Sequence, residues 1–165
     1  MTVTVSTLTQ RARLEPQVWA APVASFAAFG ALVGWRIGDS SLVAAGLGAV
    51  LGALFALLGT YLLVLVLVLA NPRLGRDVVG EATATGLLLL LPFAVLALAA
   101  ELALGWNASQ TFSSAGLMTA CGAVGVEVGR RGGAGLRSVL VPTVIAFLLS
   151  TAWVSLSALA GTIWP

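Results

Sequence analysis

The chain has 165 residues, of which 59% are hydrophobic and only 8% are charged, whereas soluble domains carry about 25% charged residues. Its net charge of +2 comes from eight arginines and six acidic residues, and it contains neither lysine nor histidine. Without histidine, and with Cys121 as the single cysteine, the sequence excludes bis-histidine haem, most zinc sites, histidine-dependent nucleophiles and a disulfide within the chain. This composition predicts an all-α, polytopic membrane helix bundle.

The first 17 residues are expected to form a disordered or interfacial arm. Arg11 and Arg13 precede the first apolar run, and this position favours a cytoplasmic arm. A cleaved signal peptide is disfavoured because no small-x-small cleavage site clearly follows that run.

Spans one and two are predicted at residues 18–37 and 41–70. The connecting loop is so short that the two helices must be antiparallel neighbours, and Asp39 or Ser40 is expected to cap the second helix. Residues 41–70 carry no charged side chain and would measure about 45 Å as a helix, against about 30 Å of hydrocarbon. We therefore predict one long tilted crossing, with Gly59 and Thr60 as the place for a bend.

Small residues recur every fourth position on both of these helices. Such ladders allow backbones to approach closely within a bilayer. We interpret them as the contact between spans one and two, with a seam between copies of the chain as the alternative. The ladder residues are Gly30, Gly34 and Gly38 on span one and Ala44, Gly48, Gly52 and Ala56 on span two.

Three further spans are predicted at residues 82–106, 112–128 and 138–164, with residues 107–111 as a polar turn. Pro92 is expected to kink span three because its ring crowds the carbonyl of Leu88. Span four is rich in glycine, including the packing positions Gly125 and Gly129, and is expected to be a central helix.

The arginines predict the orientation of the five spans. Seven of the eight fall on one side if the N-terminus lies inside, and only Arg36 falls on the other. The positive-inside rule therefore favours a cytoplasmic N-terminus and an external C-terminus. We expect the protein in the cytoplasmic membrane of a prokaryote.

Ionisable residues near the membrane are the candidates for a function. Glu127 precedes Arg130 and Arg131 by three and four residues, which indicates a local ion pair, with a proton or cation site as the alternative. Glu101 is expected to form a bridge with Arg36 between spans. Asp77 and Glu81 suit the N-terminus of a helix, and no two carboxylates are predicted at mid-membrane depth.

The basic loop at residues 129–137 offers a second kind of site. Arg130, Arg131 and Arg137 could bind lipid phosphates, although generic topology signals have the same appearance. The sequence predicts no catalytic residue, no cofactor, no metal site and no nucleic-acid partner.

Two stretches resemble the Ypt-interacting (YIP) family of five-span membrane proteins. Residues 83–95 are similar to the start of the family's third span, and residues 122–147 to its fourth span, basic loop and fifth span. The resemblance covers about residues 60–160, lacks the family's long N-terminal region, and implies a membrane organiser without catalytic residues. The positions that carry it are Gly125, Glu127, Gly129, Arg137 and Pro142.

Two functions follow as hypotheses. The first is a non-enzymatic organiser or accessory subunit that contacts the bilayer and a membrane protein partner, or further copies of itself. The second is a small oligomeric transporter or channel in which Arg36, Glu101 or Glu127 lines a path.

Overall fold

The structure, a computed structural model, describes residues 5–163, with side chains described over residues 19–156 and at Ala158 and Leu159. The described residues form six helices and no strand. In chain order the helices are α1 (Val5–Ile37), α2 (Leu42–Ala70), α3 (Arg76–Leu87), α4 (Leu90–Leu104), α5 (Trp106–Arg130) and α6 (Gly135–Ile163).

Five helical segments within the described residues are long and apolar enough to cross a membrane, because α3 and α4 together make one of them. Their mean hydropathy lies between 1.2 and 2.7. The prediction of an all-α bundle with five spans is confirmed, and the protein is an integral membrane protein. The spans run over Trp19–Ile37, Leu42–Ala70, Arg76–Leu104, Trp106–Arg130 and Gly135–Leu156.

The third span is interrupted between α3 and α4. The amide of Leu89 donates to the Gly86 carbonyl at 3.3 Å, and the amide of Leu91 donates to the Leu88 carbonyl at 3.2 Å, so the backbone tightens to three-residue turns. Pro92 follows in the first turn of α4, where it supplies no amide for Leu88. The helix is therefore interrupted next to the proline where the sequence predicts a kink, and the interruption begins four residues before Pro92.

The turn between spans three and four differs from the prediction. Residues 107–111, expected as a polar turn, are helical and belong to the first turns of α5. The connection is the single residue Gly105, whose φ of +86° favours glycine. Thr111 donates its hydroxyl to the Asn107 carbonyl, and Ser113 donates to that of Ser109, which lets these polar side chains sit on a helix.

The start of the chain and the first loop also differ in detail. The backbone of α1 is helical from Val5, so residues 5–17 extend the helix of span one, whose apolar stretch begins at Trp19, and residues 1–4 lie outside the described part. The cap of α2 is Ser41, whose hydroxyl accepts from the Ala44 amide at 3.5 Å. Asp39 and Ser40 cannot serve, because their positive φ places them in the preceding turn. Helix α2 passes Gly59 without interruption.

The ladders on spans one and two face each other. A Cβ built on Gly30 would overlap the carbonyl of Gly48, and one built on Gly48 would overlap the carbonyl of Gly30. The same holds between Gly34 and the Ala44 carbonyl, and between Gly52 and the Phe26 carbonyl. The backbones of α1 and α2 are therefore in direct contact, and the predicted packing between spans one and two is confirmed.

Helix α5 packs against α3, α4 and α6. Span four has 44% of its most apolar stretch buried, the highest share of the five, while span five has 17%. A Cβ on Gly125 would come within 2.5 Å of the Ser138 carbonyl on α6. The glycine-rich span is therefore the most enclosed of the five, its neighbours are spans three and five, and α6 is the least enclosed.

Candidate functional site: ion pairs at the two ends of the bundle

The charged side chains of the described residues gather at two ends of the bundle. We call the end formed by the loops after α2 and α5 the basic end, and the end that holds Arg36 and Glu101 the opposite end. Arg73, Arg76, Arg130, Arg131 and Arg137 lie at or next to the loops of the basic end.

At the opposite end, Arg36 in the last turn of α1 forms an ion pair with Glu101 near the end of α4. The Glu101 side chain is only 12% exposed, while that of Arg36 is 52% exposed. The guanidinium carbon also lies 5.5 Å from the ring centroid of Trp106, the first residue of α5. The predicted bridge is confirmed, and it connects three helices rather than two.

Only one oxygen of Glu101 is used by this pair. Oε1 receives the Arg36 guanidinium, while Oε2 is buried and has no hydrogen-bond partner among the described residues. Three other buried oxygens share this condition, and they lie on α1, α5 and α6. They are Ser25 Oγ, Gln110 Oε1 and Ser150 Oγ.

At the basic end, Arg130 and Arg131 pair with two different acidic residues. Arg130 lies 3.5 Å from Glu127, three residues earlier, so the predicted local pair is confirmed for this arginine. Arg131 instead donates to Glu81 of α3 at 2.6 Å, so the local pair of Glu127 is made with Arg130. Glu81 therefore connects two spans in addition to suiting a helix N-terminus.

A buried asparagine holds the two loops of the basic end together. Asn71, which follows α2 and is 2% exposed, accepts a hydrogen bond on Oδ1 from the Ala134 amide at 2.6 Å. Its side-chain amide donates to the Leu67 carbonyl at 3.0 Å. Sequence reasoning treated Asn71 only as part of a loop, and its place directly before Pro72 gave no signal of a partner 63 residues away.

The three arginines suggested as phosphate ligands are not equivalent. The Arg130 side chain is 74% exposed, whereas Arg131 is occupied by Glu81 and is 31% exposed. The backbone amides of residues 131–135 all donate within the protein, to carbonyls or to Asn71. A phosphate at this loop would thus be bound by the side chains of Arg130 and Arg137, and this remains a prediction.

The helix-packing glycines are placed as expected with one weaker case. Gly30, Gly34, Gly48, Gly52 and Gly125 each lie against the backbone of a neighbouring helix. Gly129 is exposed, and a Cβ there would meet only the Ser138 hydroxyl at 3.2 Å. Five of the six positions therefore serve close helix packing inside one chain.

No protein family, curated protein or solved structure matches this chain. The ion pairs are therefore interpreted from their own geometry. In each pair an arginine meets an acid at an end of the bundle, and two of the three pairs tie separate helices together. Chemically, such pairs hold helix ends in register and leave no free carboxylate at mid-depth among Glu81, Glu101 and Glu127.

Proposed function

We propose that this protein is a non-enzymatic membrane organiser or accessory subunit, which acts through contacts between its own helices and those of partner proteins. The observation that carries the proposal is the pairing of Glu81, Glu101 and Glu127 with arginines at the bundle ends. An ion path across the membrane needs ionisable or polar groups at its middle. Here the groups that could bind ions stabilise the bundle instead.

The interior supports the same proposal. Its central residues are tightly packed and apolar, including Leu63 and Leu67 of α2 and Val124 and Val128 of α5, each no more than 2% exposed. A packed apolar interior is suited to presenting outer surfaces to other helices. The resemblance to the YIP family implies an organiser too.

The surface best suited to a partner is the outer face of α6. This helix is the least enclosed of the five spans and carries large exposed apolar side chains. Val144, Phe147 and Leu148 are each more than half exposed. Leu149, on the same helix, faces inward against Gly59 of α2.

The proposal is tested by photo-crosslinking in the source membrane. A photoreactive phenylalanine analogue at position 147 or 148 is expected to give a discrete protein adduct, whose partner is identified by mass spectrometry. The same analogue at position 149 is the matched control and should give none, because that side chain points into the bundle. The proposal would be contradicted if the analogue at positions 147 and 148 formed adducts with lipid alone, as it would at exposed positions of α2.

A small oligomeric transporter is the second candidate, favoured by the four buried oxygens that lack partners, above all Glu101 Oε2. A buried polar group without a hydrogen-bond partner either lowers stability or is positioned to bind a ligand. In proteoliposomes, Glu101→Gln should then abolish ion flux while Glu127→Gln leaves it unchanged. Absence of flux in the unmodified protein, together with a crosslinked partner, would decide for the organiser.

A further inference from the structure

An open groove lies on the outside of the bundle between α1 and the broken third span. Its volume is about 450 Å³. One wall is made by α1 and the other by the end of α3 and the start of α4. The lining residues are Ala20, Ala21, Ala24, Ala84, Thr85, Leu88 and Leu91.

The groove exists because short side chains face each other across it. Ala20 and Ala24 lie one helical turn apart on α1, and Ala84 lies on the opposite wall. The single polar side chain, Thr85, donates its hydroxyl to the Glu81 carbonyl at 2.9 Å. The lining therefore offers apolar surface to whatever fills the groove.

A path of open surface leads from this groove to an arginine. Arg76, Gly80, Ala84 and Leu88 follow one another at intervals of four residues and so share one face of the third span. A Cβ built on Gly80 would meet none of the described side chains within 4 Å, so the described residues leave this face clear above the groove. Arg76 is exposed and lies about 12 Å along the helix from Ala84.

We propose that the groove binds one acyl chain of an anionic phospholipid, whose phosphate is bound by Arg76. The groove opens within a membrane-spanning segment, where acyl chains are the surrounding solvent. Arginine pairs with phosphate through two parallel hydrogen bonds, and basic residues beside spans recognise anionic headgroups. The charge of Arg76 and the shape of the groove thus fit one ligand, whose phosphate is bound at the basic end and whose acyl chain lies in the groove.

The test is native mass spectrometry of purified protein reloaded with phosphatidylglycerol or phosphatidylcholine of identical acyl chains. The unmodified protein is expected to retain phosphatidylglycerol in preference, and Arg76→Gln should lower that retention by about tenfold. Arg76→Lys should keep part of it, because the charge remains. Arg73→Gln is the matched control: it removes the same charge at the basic end, from the loop before α3, and should leave retention unchanged.

The tail site is tested by filling the groove. Ala84→Leu should reduce retention of both lipids, and Ala24→Leu on the facing wall gives a second variant if the first does not fold. Ala99→Leu, at an exposed alanine of α4 outside the groove, is the control.

Three outcomes would overturn the proposal. Equal losses in Arg76→Gln and Arg73→Gln would mean a general charge effect. Unchanged retention in both groove variants would place the lipid elsewhere. A co-purified protein released by Ala84→Leu would show that the occupant is a partner helix rather than a lipid.

Discussion

The direct contact between α1 and α2 makes the sharpest prediction, which concerns Gly48 and Gly46. These glycines lie two residues apart on α2, but a Cβ on Gly48 would overlap the Gly30 carbonyl, whereas one on Gly46 would meet no described atom within 4 Å. Because the clash at Gly48 is with backbone, no side-chain rotation relieves it, and the two helices must separate. Comparing Gly46→Ala with Gly48→Ala therefore isolates the free-energy cost of close packing, because the change in helix propensity is the same in both variants.

The magnitude follows from two opposing contributions. Replacing glycine by alanine in a helix gains about 1 kcal/mol through backbone propensity. Forcing a methyl group into a filled contact costs about 1–3 kcal/mol. Gly46→Ala should thus be stabilising or neutral, Gly48→Ala neutral or destabilising by up to about 2 kcal/mol, and the two variants should differ by about 1–3 kcal/mol.

The assay is reversible unfolding by sodium dodecyl sulfate in mixed micelles, followed by tryptophan fluorescence. Gly30→Ala should repeat the effect of Gly48→Ala, because the two residues clash with each other's carbonyls. Equal stabilities for Gly46→Ala and Gly48→Ala would refute the arrangement, since they would show that the ladders do not meet.

Three further predictions concern the bundle ends. Asn71→Ala should destabilise the protein by about 1–3 kcal/mol and speed hydrogen exchange of the Ala134 amide, while Asn107→Ala, at an exposed site, should do neither. A double-mutant cycle on Arg36 and Glu101 should give a coupling energy of about 1 kcal/mol, which should fall in high salt. The same cycle on Glu127 and Arg130 should give about 0.2–0.5 kcal/mol. Equal coupling energies would contradict the difference in burial between the two pairs. Gly105→Ala should cost about 1–3 kcal/mol because φ is +86°, whereas Gly122→Ala, which has open space and a helical backbone, should be tolerated; thermal unfolding compares the two.

What could be predicted from the sequence was set by interactions close along the chain. The ladders on spans one and two are joined by a loop so short that the two helices must meet, so their spacing was enough to predict the contact. The break before Pro92 follows from the proline ring alone. The pair between Arg36 and Glu101 was accessible because both residues lie at the same ends of predicted spans.

The features that were missed depend on which loops lie side by side. Glu81 and Arg131 are 50 residues apart, and Asn71 and Ala134 are 63 apart. The spacing of these residues does not indicate that the loops after α2 and α5 are neighbours, because the position of the loops depends on how α3 and α5 pack. The helical start of α5 was missed for another reason. Its hydroxyl side chains donate to carbonyls of the helix itself, so a polar segment that the sequence predicts as a turn is helical.

The way this bundle uses its small residues also limits how it can meet a partner. Gly30, Gly34, Gly48 and Gly52 are already in contact with backbone inside the chain, so they are not free to form a close seam between copies. Substituting Gly48 or Gly52 would therefore disturb the fold before it disturbed any assembly. A partner helix must instead pack against large side chains, such as those of α6, or enter the alanine-lined groove beside Arg76. If the groove holds a lipid, a partner at that site has to displace it, and its binding should weaken as the fraction of phosphatidylglycerol rises. A partner on α6 should be insensitive to that fraction, so the lipid dependence of crosslinking separates the two surfaces.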